Sequence, residues 1–417
     1  MNIYYYKYNK RVLISTYKYN FLEITEEEAK NYKDKLFALT KMDPAVSRRS
    51  FSVSSSSQLF LKEEGLDLLL EKNSEISLPS WIDKCISDGK VMSINTNYPN
   101  WKILLNDLGS NRKKVISLAG MGDVGGILTA GLRLMGTNTI SRINIYDKDA
   151  SRVKRWELEC NSILSPENNF HYPDIYGLKE EVEIFNCDIF VFCVSVGVPE
   201  LGKEEVDVRL AQLQGNSKII SHYAKLARKV GFNGIFAVVS DPVDQLCKVA
   251  FLESNKNELG EMDYLGLAAE NIRGYGLGVM YARAAYYSKS LDEEDIFLKE
   301  GRAFGPHGDG LIIANSIENY NDATSIYLTD KTRLSNLEVR ATGFKPYIAP
   351  ALSSGCLSII ATIDGTWHYS SNFIGGTFLG CRNRVLNSGI EIETSHIPNG
   401  LFKRINNTYN YLKNYIL

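Results

Sequence analysis

Residues 114–125 read KVISLAGMGDVG, and GILTAGLRLMG carries the chain on to residue 136. The first six residues are a short apolar run and the next six a GxGxxG string. The stretch after them repeats its apolar residues at helical spacing. A GxGxxG string alone is a weak signal, but a strand before it and a helix after it give the glycines a mechanical job. Gly120 would make the tight turn and Gly122 would let a pyrophosphate approach the backbone. Gly125 would let helix and strand pack closely, with Asp123 and Val124 opening the helix whose N-terminus meets the phosphates.

The next apolar strand, INIYD, ends in Asp147, 22 residues after Gly125. A carboxylate there accepts hydrogen bonds from the adenosine ribose and repels a 2′-phosphate, which favours NAD over NADP; the adjacent Lys148 softens that preference. The plain alternative is a glycine turn before an ordinary helix, plus a surface acid. A third strand, CDIFVFCVSVG at 187–197, passes Ser195 and ends at Gly197, and a fourth, GIFAVVSDPVD at 234–244, ends in a polar turn. In an open parallel sheet ligands sit at the carboxyl ends of strands, so these ends would line the nicotinamide half of a cleft.

Composition shifts near residue 110. Before it come β-prone pieces (IYYYKYN, RVLISTY, YNFLEI), a helical run EEEAKNYKDKLFAL, a Ser-rich patch RRSFSVSSSSQ and the leucine-dense EEGLDLLLEK. LLNDLGSNRKK at 104–114 reads as a linker or short connecting helix, and apolar strands then alternate with longer amphipathic segments, as in βαβ units. The expected fold is α/β: a small α+β N-terminal domain over 1–110, a Rossmann-type parallel-sheet domain over 111–245, and an α+β catalytic domain over 246–417. The first 110 residues carry no motif with attached chemistry. They read either as an interaction domain or as an extension packed on the main body.

The 417 residues hold 47 Lys plus Arg against 49 Asp plus Glu, a formal charge of −2. That balance supplies no basic footprint, so neither nucleic acid nor a membrane surface is an expected partner. The tyrosine-rich start reads as a β-strand edge and not as a stack for bases. Seven cysteines without a CxxC pair read as small apolar residues in a reducing compartment, and no cluster has metal-ligand spacing. No GxSxG or Ser-His-Asp arrangement supports a hydrolase. The start lacks a signal-peptide run, and no stretch reaches the roughly 18 apolar residues of a membrane span, so a cytoplasmic location is expected.

Seven strings in order resemble the lactate/malate dehydrogenase family: GMGDVG at 120–125, CDIFVFCVSVGVP from 187, RLAQLQGN at 209–216, VSDPVD at 239–244, GYGLGVMYAR at 274–283, GPHGDG at 305–310 and GTFLGCRNRVLNSGIEIE at 376–393. The resemblance covers about residues 112–417 and leaves the N-terminal stretch outside. It implies an NAD-dependent oxidoreductase interconverting a 2-oxo and a 2-hydroxy acid-like group, and a homo-oligomer. His307 would be the acid/base, apt because an ordinary imidazole trades protons near neutrality. His171, His222, His368 and His396 lack a glycine-flanked turn and read as structural. Arg209 would close over the substrate and polarise its carbonyl, and Arg283 would grip a carboxylate through two parallel hydrogen bonds.

Three departures qualify this. VPELGKEEVDV, between Gly197 and Arg209, is longer than the family's loop and carries four acids, which argues against a small dianion. The family's histidine-orienting Asp is replaced by Met280. Its Asn, a donor to the substrate oxygen, is replaced by Asp241, which when ionised only accepts. Two accounts fit: Asp241 takes over as orienting carboxylate for His307 or binds an amine, or the site has lost its chemistry. The expected substrate is a small molecule other than plain pyruvate or oxaloacetate, or a specialised, larger, peptide- or carrier-bound group. The alternatives are a catalytically silent NAD-binding protein and an amine/imine redox enzyme on the same fold.

Overall fold

A computed structural model gives the structure of residues 2–32, 34–72, 77–106, 112–167, 171–196 and 208–415, with the backbone alone for 208–211. Two large sheets and one two-stranded hairpin carry the strands among these residues. The first orders six strands as β3-β1-β2-β4-β6-β5: β1 (Tyr4–Tyr8), β2 (Arg11–Ser15), β3 (Leu22–Ile24), β4 (Leu36–Thr40), β5 (Ser50–Ser52) and β6 (Val91–Asn95). β2, β4 and β6 run parallel, while β1 is antiparallel to β2 and β3, and β5 to β6.

The helix expected over 26–39 stops at Lys30, and its second half is strand β4. The reason is burial on both faces: Leu36 and Ala38 join one apolar cluster while Phe37 and Leu39 join another. A period of two has displaced the period of 3.6. The Ser-rich patch contributes β5, and the leucine-dense stretch forms only a short 3₁₀ turn, Leu66–Leu69.

The second sheet holds six parallel strands: β7 (Lys114–Ala119), β8 (Ile140–Tyr146), β9 (Asp174–Gly177), β10 (Ile189–Phe192), β11 (Ile235–Val238) and β12 (Ile272–Gly274). Their spatial order, β9-β8-β7-β10-β11-β12, is that of a doubly wound nucleotide-binding sheet, whose direction of growth reverses between β7 and β10. Two strands escaped the sequence reading, so the expected third and fourth are the fourth and fifth. The missed ones are β9, four residues at the sheet edge, and β12, three residues. Pieces that short carry too little periodicity to register. β10 alternates Phe190 and Phe192 into one buried layer with Ile189 and Val191 into the other, as a sheet covered on both faces requires.

Beyond β12 the chain makes the hairpin β13 (Arg302–Phe304) and β14 (Ile312–Ala314). It then adds β15 (His368–Ile374), β16 (Thr377–Leu386) and β17 (Gly389–Ile392) antiparallel to the second sheet's edge. Among the described residues, no helix is long and apolar enough to cross a membrane.

The two sheets are fixed to each other by buried polar contacts near β5. Glu270 accepts from Arg49 Nε at 3.1 Å, from the Arg49 amide at 3.0 Å and from Ser50 Oγ at 3.2 Å. The Ser52 and Ser388 hydroxyls meet at 2.8 Å. The Arg49 and Glu270 side chains are only 11% and 6% exposed, so removing one partner strands the other charge in the interior. Glu270→Ala should cost about 3–5 kcal/mol of stability, more than Glu270→Gln, measured by urea unfolding at neutral pH.

Candidate active site

The sheet opens a cleft of ≈ 1190 Å³ where β7 and β10 part, lined at its centre by Gly120, Gly122 and Gly125. Gly120 has φ +96°, and a Cβ there would lie 2.7 Å from the Val194 amide nitrogen; a Cβ on Gly125 would lie 1.9 Å from the Gly120 carbonyl oxygen. Only glycine permits this backbone-on-backbone packing. Gly122 differs, with nothing within 4 Å of its Cβ position, so backbone there is open to an approaching group. It caps the helix Asp123–Met135, whose free amides suit an anion. Val124 lines the same wall, and exposed Asp123 pairs with Lys345 at 3.3 Å.

Asp147, at the end of β8, accepts from the Met121 amide at 2.7 Å and the Asp149 amide at 2.9 Å. It therefore pins the glycine turn while remaining on the cleft wall beside Lys148 and Arg152. Further along that end, His222 Nε2 lies 2.7 Å from Glu181, a pair the sequence reading passed over.

Beyond β10, Ser195 lines the cleft and donates to the Val196 carbonyl at 3.0 Å. Buried Asn216 braces this turn: its Oδ1 accepts from the Val196 amide at 2.8 Å, and its Nδ2 donates to the Asp241 carbonyl at 2.7 Å. Asn216 thus ties the ends of β10 and β11 together. In the string RLAQLQGN the sequence singles out Arg209 and not Asn216. Gly197 lies outside the described residues, and Arg209 is placed only by its backbone, in the first turn of the helix Val208–Lys229.

His307 sits in the turn between β13 and β14 and reaches the cleft. Its Nδ1 is 3.0 Å from Asp241 Oδ1; the imidazole is 10% exposed and the carboxylate 50%. A carboxylate accepts, so Nδ1 is the donor and bears the hydrogen. Nε2 is buried and makes no hydrogen bond to any described residue. Asp241 thereby holds the imidazole from the cleft side, at the end of β11.

Met280 makes no such contact. It is buried in an apolar cluster with Leu277, Val279 and Phe297, and its sulfur receives Arg283 Nη1 at 3.8 Å. Arg283 itself is 9% exposed and donates from Nη2 to Asn336 Oδ1 at 2.5 Å. Among the described residues no carboxylate forms an ion pair with it. Burial pulls its pKa below the ordinary arginine value, opposed by Tyr287 and by the Asp241 charge. Asn336 and Arg340, on the helix Asp322–Ala341, both line the cleft. No motif marks either, and only the fold brings them there.

Asp244 closes the string VSDPVD, and no local pattern marks a role for it. It is 4% exposed, its Oδ1 accepts from Ser371 Oγ at 2.6 Å, and burial raises its pKa to about 6, against the Ser371 bond and the charge of nearby His307.

This arrangement is a dinucleotide-type sheet joined to an α+β half, with an imidazole–carboxylate pair at the strand reversal. It is the fold of lactate and malate dehydrogenases. The chain superposes on a lactate dehydrogenase from a Medee basin deep-sea metagenome library with a TM-score of 0.59 at 19% identity, covering 72% of this chain and 97% of that one. A minor L-lactate dehydrogenase from Enterococcus mundtii gives 0.60 at 18%, covering 72% and 96%. Malate dehydrogenase from Plasmodium falciparum gives 0.56 at 18%, again covering 72% and 96%.

No protein-family model matches the chain. Its sequence is 29% identical over 123 residues to L-lactate dehydrogenase of Mycoplasma genitalium, covering 30% of this chain and 35% of that one. It is 25% identical over 209 residues to L-lactate dehydrogenase of Fusobacterium nucleatum subsp. nucleatum, covering 50% and 57%. The matched stretches thus span about a third and somewhat over half of these relatives. The chain thus has the lactate/malate dehydrogenase fold and is similar in sequence to L-lactate dehydrogenases over part of its length.

For Asp244 the raised pKa means that the folded state favours the protonated acid. Its stabilising contribution is complete below pH 4 and is lost as pH rises through about 6. Asp244→Asn keeps an acceptor for Ser371 without the buried charge. It should be more stable than the parent chain at pH 7.5 by about 3 kcal/mol at most, the gap closing toward pH 4 in urea unfolding.

Proposed function

We propose that the chain is an NAD-dependent oxidoreductase of lactate/malate dehydrogenase type, acting on a carbonyl/hydroxyl pair next to an anchoring acceptor group. The observation that carries this is the His307–Asp241 pair, 3.0 Å apart, on the wall of a cleft shared with the glycine turn. The residues fit the cofactor: backbone is open at Gly122 where phosphates approach, and Asp147 stands at the end of β8 for a ribose. NAD, when bound, supplies hydride exchange.

What the chain's own groups do follows from their placement. Asp241 accepts from Nδ1 and so fixes the imidazole tautomer. The imidazole is then the group that gives a proton to the substrate oxygen in reduction and takes it back in oxidation. Asn336, with buried Arg283 behind it, lies in the cleft wall that anchors the substrate, and Arg209 is assigned to the carbonyl oxygen by resemblance alone. Occupation of Asp241 Oδ1 by His307 supports the orienting role over pairing with a substrate ammonium. The reading includes a specialised, larger or peptide- or carrier-bound substrate, a homo-oligomeric assembly and a cytoplasmic location.

NADH should quench or shift protein fluorescence on titration with micromolar affinity, and a panel of 2-oxo acids, esters and amides should reveal turnover. His307→Ala should then lower turnover by about 10²–10⁴-fold while leaving NADH affinity within about twofold. Tight NADH binding with no turnover of any carbonyl compound would instead identify a silent binding protein.

A further inference from the structure

The wall that faces the substrate is not made by Arg283 directly. Arg283 is buried and absent from the cleft lining, whereas Asn336 lines the cleft and takes Arg283 Nη2 on its Oδ1 at 2.5 Å. A guanidinium only donates, so the oxygen of the Asn336 amide must face it and Nδ2 must face away. Asn336 Nδ2 donates to no described residue. The group presented to the cleft is therefore a neutral N–H donor, polarised by the cation behind it.

Charge placement points the same way. Asp241 is half-exposed on the cleft wall, and its charge already acts on Arg283. Beside Asn336 a free carboxylate would meet a neutral donor and the nearby Asp241 charge, so Arg340, one turn along the same helix, is the cleft cation that would have to hold it. A neutral carbonyl meets neither difficulty and still accepts from the amide.

We propose that Asn336, oriented by Arg283, is the substrate-anchoring donor of this site and selects a neutral carbonyl, as in a 2-oxoamide, over the free carboxylate of a 2-oxo acid. The assignment deepens the dehydrogenase reading and rests on it. It names a substrate class in which the acid next to the reacting carbon is capped as an amide, the form it takes in a peptide.

The test compares NADH-dependent reduction of pyruvate with pyruvamide, and of phenylpyruvate with phenylpyruvamide, by the full chain. In parallel, calorimetry measures binding of oxamate and of oxamide, its neutral counterpart, to the NADH complex. The amide should exceed the acid in kcat/KM by tenfold or more, and oxamide should bind more tightly than oxamate. Asn336→Ala should lower the amide's kcat/KM at least tenfold while changing the acid's less than threefold. Asn336→Asp, which offers Arg283 a carboxylate and the cleft no donor, should lose the amide preference as well, with circular dichroism reporting the fold of both variants.

Preference for the acid, an unchanged ratio in a folded Asn336 variant, or tighter oxamate binding that is lost in Arg340→Ala would each overturn the proposal. So would NADH binding with neither oxamate nor oxamide captured, which leaves the cofactor reading standing. Failure to bind NADH would remove both readings at once.

Discussion

Backbone packs on backbone where β7 and β10 part, and two glycines, Gly120 and Gly125, permit it. The helix Asp123–Met135 docks so closely that any Cβ on Gly125 would overlap the Gly120 carbonyl, and Gly120 in turn presses on the chain at Cys193 and Val194. With those contacts satisfied, the neighbouring strand ends are held in fixed relation by single side chains. Asp147 bonds the Met121 amide from the end of β8, and Asn216 spans from the Val196 amide to the Asp241 carbonyl. The turn bearing Asp241 is thus located by the same frame that locates the glycine turn. A substitution that loosens Asn216 moves the carboxylate on which His307 rests, without touching either residue of the pair.

The carboxylate that meets the imidazole stands at residue 241 and not at residue 280. Met280 fills an apolar niche against Leu277 and Phe297, and a charge there would be stranded among hydrocarbon. At residue 241 the carboxylate is half in water, so its desolvation cost is smaller and it can still accept from Nδ1. The exchange has a price on the substrate side. A buried acid behind the imidazole would leave the cleft wall neutral, whereas Asp241 shows its charge to whatever occupies the cleft. Arg283, meanwhile, finds an amide oxygen and a sulfur in place of an acid, so its charge is balanced at a distance by Asp241 and not by a contact.

Local pattern made part of this legible in the sequence. The glycine turn, the acid closing the next strand and the histidine turn each depend on residues adjacent in the chain, so their signals survive without a fold. Strand β4 was misread because burial on both faces erases the alternation that distinguishes strand from helix, and β9 because four residues hold too little of it. Asn336 was invisible for another reason: it is an ordinary polar residue 53 positions from Arg283, brought to it only by the packing of two helices. Asn216 and Asp244 lay inside quoted strings yet went without roles, since nothing local distinguishes a buried brace from a solvated side chain. The Asp241–His307 contact was open to inference because two departures from one pattern, Met280 and Asp241, are complementary.

The N-terminal sheet bears on the same wall through the chain's geometry. Glu270, the residue that receives Arg49 and Ser50, stands two positions before β12 begins. Three positions beyond β12 the helix Leu277–Ser288 starts, and it carries Met280 and Arg283. A buried ion pair is weak as a source of net stability but strong as a fixer of position, because any displacement strands a charge. Clamping Glu270 therefore fixes the entry of the segment that carries Arg283, and the contact of Ser52 with Ser388 holds the far edge of the sheet in the same way. The first 110 residues, silent in motif, help set where β12 begins.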